Sequence, residues 1–220
     1  MKDFFFDPLG LVLYKGDRVV WLEVEDGLND GHSATAFHPK FDKVLRIPKA
    51  APAWGSDLLF EPNAQWERRF STPGVHDYFC IPHEDMGMVG RILVDEPLGP
   101  GTQPLNVGLS AAAQATMPSL EELAGPVGEV FNVQGRLNAV TLYARRAQDA
   151  PALERWRVLL DEVDALLPQL LGRLSSAKQR LLRQALSSFD EAINAAMLGS
   201  TLKAADRLKV LLERAAYSVP

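Results

Sequence analysis

The sequence predicts a two-part protein, in which an all-β sandwich or barrel is followed by an all-α antiparallel helical bundle. Up to residue 94, short apolar and β-branched runs recur at roughly 8–12-residue spacing, which is typical of such β folds. From Leu153 onward, leucines recur on one broad helical face. The segment DEPLGPGTQPLN between these patterns holds three prolines and two glycines and can continue neither. We therefore predict a β domain at 1–95, a linker at 96–106 and a helical domain at 107–220.

Short strands are predicted along the whole first part. Turn signals at Lys15-Gly16-Asp17 and Thr72-Pro73-Gly74 divide the two longest apolar segments into shorter runs. The predicted segments, in chain order, are LVLYKGDRVVWLEV (11–24), HSATAF (32–37), KVLRI (43–47), QWERRFSTPGVHDYFC (65–80) and MVGRILV (88–94).

The second part carries three strong apolar stripes, at 153–174, 181–197 and 202–212, and a weaker helical pattern at 119–146 that is interrupted near Gly125. Short connections between such helices imply antiparallel neighbours, so we expect a bundle of about four helices. This part contains no histidine and no cysteine. We therefore expect it to bind no haem or metal.

Composition and charge exclude several classes of protein. The chain of 220 residues has a net charge of −5, which argues against nucleic-acid binding. A single cysteine rules out an internal disulfide and a cysteine-rich structural zinc site. No apolar run reaches the ~18 residues of a membrane span. The first ten residues lack the pattern of a secretory signal.

The stretch YFCIPHEDMGMVGR, residues 78–91, concentrates metal-binding side chains. It contains Cys80, His83, Met86 and Met88 within nine residues. A thiolate, an imidazole and a weak thioether are the ligands of a blue-copper site, which also requires a second histidine. The alternative for an isolated cysteine such as Cys80 is a buried free thiol.

The second histidine must come from elsewhere, and the segment DGHSATAFHP offers His32 and His38. Both would lie on the same face of a strand, so alternation of side chains does not separate them. The thioether is also open, because Met86 and Met88 give the spacings C-x2-H-x2-M and C-x2-H-x4-M. The remaining histidine, His76, is expected to be an exposed strand residue.

Several segments of residues 4–94 resemble the cupredoxin family of the plastocyanin, halocyanin and pseudoazurin type. They are FFFDPLGLVLYKGDRVVW, GHS and TPGVHDYFCIPHEDMGMVGRILV. The resemblance implies a Greek-key cupredoxin sandwich that binds one type 1 copper ion per chain. Carried over by position, it implies the copper ligands His32, Cys80, His83 and Met88. The neighbours Gly31 and Ser33 favour His32 over His38, and the GMVG context favours Met88 over Met86. The helical part resembles no family that we recognise.

The resemblance implies an electron carrier and not an enzyme, because four ligands leave no position open for a substrate. The expected partner is a redox protein such as a cytochrome or an oxidase, and the helical domain would serve assembly or docking, including a homodimer. The electron would leave where the ring edge of His83 approaches the surface. The alternative is a copper-handling, sensing or structural protein whose helices bind a partner, and a buried His83 edge would favour it.

The resemblance also implies a location outside the cytoplasm. Copper sites of this kind are found in exported proteins, so a periplasmic or extracytoplasmic protein is expected. An export signal or membrane anchor absent from the given chain would then have been removed.

Overall fold

The structure is a computed structural model in which the chain divides into two compact units, Met1–Ala124 and Gly125–Pro220. The residues that it describes are 1, 4–24, 31–147, 152–172, 174–195 and 198–216.

Two β-sheets form the frame of the first unit. A four-stranded sheet has the order β1-β6-β5-β3, with β1 parallel to β6 and the other pairs antiparallel, and a second sheet pairs β2 with β4. The strands are β1 (Gly10–Leu13), β2 (Arg18–Leu22), β3 (Thr35–Ala36), β4 (Gln65–Arg69), β5 (Gly74–Phe79) and β6 (Val89–Val94).

Aromatic side chains fill the space between the two sheets. Trp21 of β2 meets Tyr78 of β5 edge to face, with ring centroids 5.5 Å apart. Trp21 also lies 5.7 Å from Trp54 and 6.2 Å from Phe70. Such pairs add ~0.5–1.5 kcal/mol each to the gain from burial. Because side chains from both sheets share this core, the predicted β-sandwich is confirmed.

The helices fall into two groups. Two short ones, α1 (Ala111–Thr116) and α2 (Leu120–Ala124), belong to the first unit. In the second unit the described residues form four helices: α3 (Pro126–Ala147), α4 (Ala152–Leu171), α5 (Ser176–Asn194) and α6 (Leu198–Ala216). Helix α3 contacts α4 and α6, and α5 contacts the same two helices. The prediction that the second part of the chain is helical is therefore confirmed. No described helix combines the length and the apolar character that a membrane crossing requires.

A buried charge cluster lies on the four-stranded sheet. The Asp77 carboxylate accepts hydrogen bonds from Arg46 Nε at 2.8 Å and from Arg91 Nε and Nη2 at 2.7 and 2.9 Å. All three side chains are buried. Two guanidinium groups share one carboxylate, so several of their N–H donors must find acceptors elsewhere.

Those donors fix the segment that follows β6. Arg46 and Arg91 both donate to the carbonyl of Gly101, and Arg91 also donates to that of Pro118. Arg46 further reaches the carbonyls of Gln103, Pro104 and Val107. The predicted linker at 96–106 consequently lies inside the first unit, which ends at Ala124 and not at residue 95. Apart from one 3-10 turn, Pro100–Thr102, this segment forms no helix or strand, and buried arginines hold its backbone in place.

Helix α1 closes a second, smaller core of the first unit. Ala113 and Met117 pack with Phe37, Phe79 and Val89, all of them buried. Phe79 and Val89 are the last residue of β5 and the first residue of β6. The residues after the sheet therefore cover its end where the two strands are joined.

Two expectations about this region are wrong. Residues 43–47 form no strand; instead, the backbone of Arg46 donates to Phe37 and accepts from Asp77. His76 is buried, with its ring 5.1 Å from that of Phe70 and Nε2 2.9 Å from the carbonyl of Thr72. Every side chain of β5 is buried, so simple alternation between core and solvent does not apply to this strand.

The variant Asp77→Asn tests the charge cluster. It keeps the shape of the side chain but leaves two buried guanidinium groups without counter-charge, so the free energy of unfolding should fall by about 3–5 kcal/mol. Urea denaturation of the full chain measures this. Asp85→Asn, at an exposed aspartate, is the control. A loss below about 1 kcal/mol for Asp77→Asn, as for a surface pair, would contradict the role given to the cluster.

His76 should make the first unit sensitive to acid. Burial lowers the pKa of His76 to about 4, and its hydrogen bond with Thr72 opposes this only in part. The unfolded chain takes up a proton near pH 6.5, so the stability contribution is complete above that pH and is lost as pH falls towards 4. The loss should be about 3 kcal/mol.

The variant His76→Gln can still donate to Thr72 but does not titrate. The difference in unfolding free energy between parent and variant should therefore change between pH 6.5 and 4. His38→Gln removes a histidine outside this pocket and is the control. A difference that stays constant over the interval would refute the assignment.

Candidate metal centre

The predicted ligand loop is a compact connection between β5 and β6. Cys80 follows the last residue of β5, and its backbone N–H donates to the carbonyl of Met88 at 3.0 Å. His83 lies between them; its N–H donates to Cys80 and its carbonyl accepts from Met88, at 3.2 and 3.1 Å. A single 3-10 turn, Glu84–Met86, completes the loop. Backbone hydrogen bonds thus bring the three predicted ligands of this segment together.

Gly87 is required where the loop turns back towards β6. Its φ of 87° lies in the left-handed region, which residues other than glycine rarely adopt. A Cβ atom at this position would also come within 2.6 Å of Thr116 Oγ1 and 3.1 Å of the carbonyl of Ala112. Helix α1 therefore packs directly against the loop.

Cys80 is fully buried and surrounded by donors. Its Sγ lies 3.4 Å from His83 Nδ1 and accepts the backbone N–H of Ser33 at 3.3 Å. The Ser33 hydroxyl in turn accepts the N–H of Ile81 at 2.9 Å. Burial raises the pKa of the Cys80 thiol, and the Ser33 N–H opposes that change. The backbone around Cys80 thus favours a sulfur atom that accepts hydrogen bonds.

Of the two candidate upstream histidines, the structure brings His32 to the loop. The rings of His32 and His83 lie with their centroids 5.0 Å apart, and a β-bridge with Leu59 holds the backbone of His32. His38 is half-buried and caps a 3-10 turn, where its Nδ1 accepts the N–H of Lys40 at 3.0 Å.

The two methionines differ in the same way. Met88 is completely buried and belongs to the same core cluster as Cys80. Met86 lies in the 3-10 turn and is 60% exposed. A thioether must lie inside the site to act as a ligand, so the geometry favours Met88.

The site also contains a buried carboxylate that was not predicted from the sequence. Glu23 Oε2 lies 2.6 Å from His32 Nδ1, and both side chains are buried. Its signal was nevertheless present: Val19, Trp21 and Glu23 alternate along β2 and past its end, and all three point inward. A charged residue in that position calls for a buried partner.

The donor set suits a soft metal ion, although it does not form a closed cage. Within the described ranges, no three His, Cys, Asp or Glu side chains are grouped so as to hold a metal ion. The fourth predicted donor is a thioether, and His32 directs its Nδ1 towards Glu23. One thiol, two imidazoles and one thioether are nevertheless the ligands that suit both Cu(I) and Cu(II).

The expected exposure of His83 is wrong. Its side chain is only 2% exposed, because the ring of Phe4 packs edge-on against it with centroids 4.9 Å apart. Phe4 itself is 39% exposed. An aromatic residue before the first strand has no periodicity that could reveal where its ring packs.

Comparisons with known proteins concern the first unit. Residues 1–95 match the family described as copper binding proteins of the plastocyanin/azurin family. The plastocyanin of Dryopteris crassirhizoma is 31% identical over 93 residues, which make up 42% of this chain and 89% of that protein. The chloroplastic plastocyanin of Tetradesmus obliquus is 30% identical over 89 residues, and only 57% of its length is spanned.

The solved pseudoazurin of Methylobacterium extorquens AM1 is 23% identical, with a TM-score of 0.40 over 50% of this chain and 79% of that one. The family match ends at residue 95 and includes none of the helical unit. Through its first unit, the chain belongs to the plastocyanin/azurin family of copper-binding proteins.

Proposed function

We propose that the first unit holds one type 1 copper ion through His32, Cys80, His83 and Met88 and carries single electrons. The observation that supports this most directly is the buried approach of Cys80 Sγ to His83 Nδ1, at 3.4 Å, beside the ring of His32. A bound copper ion would supply a one-electron couple between Cu(II) and Cu(I).

The chain would keep these donors in place while the charge changes. The Ser33 N–H stabilises negative charge on Cys80, and Glu23 orients the ring of His32. The backbone bonds between Cys80, His83 and Met88 limit movement of the loop. A site whose ligands move little favours rapid electron transfer over substrate chemistry, so we infer a carrier and not an enzyme.

The partner that this proposal requires is another redox protein, such as a cytochrome or an oxidase. The helical unit would serve docking or assembly, including a homodimer. Its exposed apolar side chains support such a contact: Val158 is 57% exposed, and Leu181 and Val210 are also exposed. A periplasmic or otherwise extracytoplasmic location follows from the same proposal, and fractionation of cells that make the full-length protein would test it.

A second candidate function is copper handling or sensing. The burial of His83 beneath Phe4 favours it, because a carrier needs a short path from metal to partner. The two functions differ in the rate of electron self-exchange, which is high for a carrier and low for a storage or sensing site.

The ligand assignment predicts which substitutions abolish colour. A copper-loaded sample should show the intense visible absorption of a copper–thiolate bond. Cys80→Ser should abolish this absorption, and His32→Ala should abolish or strongly weaken it. His38→Ala and Met86→Leu are the matched controls and should retain it, whereas Met88→Leu should shift it. Colour that survives in Cys80→Ser would refute the copper centre. If the colour is lost in His38→Ala but kept in His32→Ala, His38 and not His32 is the ligand.

Removing the Phe4 ring should speed electron exchange. In Phe4→Ala the His83 ring gains a direct path to solvent, so self-exchange should rise about tenfold, equivalent to about 1.4 kcal/mol in the activation free energy. Paramagnetic line broadening in mixed oxidised and reduced samples measures the rate.

The control for this experiment is Tyr14→Ala, at an aromatic side chain that is 77% exposed. In copper-free protein, Phe4→Ala should also increase the reactivity of the Cys80 thiol towards a water-soluble disulfide reagent. An unchanged exchange rate and thiol reactivity would show that Phe4 is no barrier. Slow exchange in both proteins would favour the copper-handling function.

The proposed homodimer predicts a defined mass in solution. Light scattering of the full chain should give a dimer at high micromolar concentration, since an exposed apolar surface gains free energy when a second copy covers it. Val158→Asp should shift the equilibrium to the monomer, and Lys203→Asp, at an exposed helical position, should not. A strictly monomeric parent would leave docking of another protein as the role of the helices.

A further inference from the structure

A cleft of about 510 Å³ opens beside the ligand loop. Its size falls in the range of small-ligand sites. It borders Ile81, the residue after Cys80, which is 53% exposed. The lining residues that matter here are Lys40, Trp54, Asp57, Trp66 and Arg68.

Arg68 is held in this cleft by aromatic rings. Its guanidinium carbon lies 5.3 Å from the ring centroid of Trp54 and 5.5 Å from that of Phe70. Stacking of this kind restricts the guanidinium group and leaves its N–H edge for a ligand. The terminal nitrogens of an arginine so placed can donate two parallel hydrogen bonds to one carboxylate or phosphate.

Arg68 differs from Arg18, Arg46 and Arg91 in its charge pairing. No carboxylate within the described part of the chain pairs with Arg68, although Arg18, Arg46 and Arg91 all have such partners. Burial lowers the pKa of Arg68, as expected for a charge that is partly removed from water without compensation. Charged side chains that are removed from water are normally paired, so a half-buried arginine without a described carboxylate partner is unusual.

Two buried hydrogen-bond donors lie at this cleft. Arg68 Nε and Trp54 Nε1 are both buried, and neither has an acceptor among the residues that the structure describes. Unsatisfied buried donors of this kind cost free energy, which an incoming acceptor can recover by rearranging the local side chains. The cleft therefore contains two buried donors that no described residue satisfies.

The charges around the cleft add to this tendency. Lys40 and Arg68 supply two positive groups against the single carboxylate of Asp57. Lys40 lies 5.7 Å from the ring centroid of Phe41, and no described carboxylate forms an ion pair with it. The cleft is thus locally positive in a unit whose first 100 residues carry a net charge of −6.

We propose that this cleft binds a small oxyanion, a carboxylate or a phosphate group, through the stacked guanidinium of Arg68 with Lys40 beside it. The site does not depend on the metal, since none of its lining residues is a proposed copper ligand. Anion binding at this cleft can therefore be tested independently of the proposed electron-carrier function. Binding next to Ile81 would place the anion beside the ligand loop.

Titration of the copper-free full chain with inorganic phosphate, and separately with acetate, tests the proposal. Sodium chloride keeps the ionic strength constant, and the fluorescence of Trp54 and Trp66 reports binding. We expect a saturable change with at least one of the two anions. Binding of phosphate alone would identify a phosphate site, whereas binding of both would identify a general oxyanion site.

Arg68→Gln should weaken binding by about tenfold or more, because it removes a charge-assisted hydrogen bond. Arg68→Lys keeps the charge but loses the planar pair of donors, and it should give an intermediate affinity in a protein that still folds. Lys49→Gln, at an exposed lysine outside the cleft, is the control. Absence of a saturable change with both anions, or equal affinity in Arg68→Gln, would overturn the proposal.

Discussion

The three-residue ion cluster of Arg46, Asp77 and Arg91 holds together the strands on either side of the ligand loop and the irregular segment that follows them. Asp77 stands three residues before Cys80, and Arg91 stands three residues after Met88. The same pair of charges therefore joins the two strands that enter and leave the ligand loop. The free-energy gain of a buried ion pair is offset by desolvation. We infer that its main contribution here is to specify one arrangement of the strands and of the segment after them.

The candidate ligand loop and the segment that covers it are in direct contact. The loop from Cys80 to Met88 is closed by its own backbone hydrogen bonds on one side and packed against α1 on the other. Ser33 and Glu23 approach from different parts of the chain and hold the sulfur and the His32 ring. Outer contacts of this kind orient the side chains that could serve as ligands.

Much of this could be predicted from the sequence, because local signals carry it. Turn residues and apolar runs located most of the strands, and the spacing of Cys80, His83 and Met88 located the loop. What could not be predicted depends on contacts between distant residues. The burial of His83 under Phe4 and the anchoring of residues 96–106 by arginines leave no periodic trace in the sequence. Alternation along β2 points Glu23 inward, but it does not identify His32 as its partner.

The packing of α1 has a consequence for how this unit can be exchanged in evolution. The recognisable family segment ends at residue 95, but the small core around Phe79 and Val89 is completed only by Leu109, Ala113 and Met117. A recombination event at the border of the family segment would separate the ligand loop from its covering helix. The unit that can be inherited intact is longer than the segment that resembles its relatives, and it ends at Ala124.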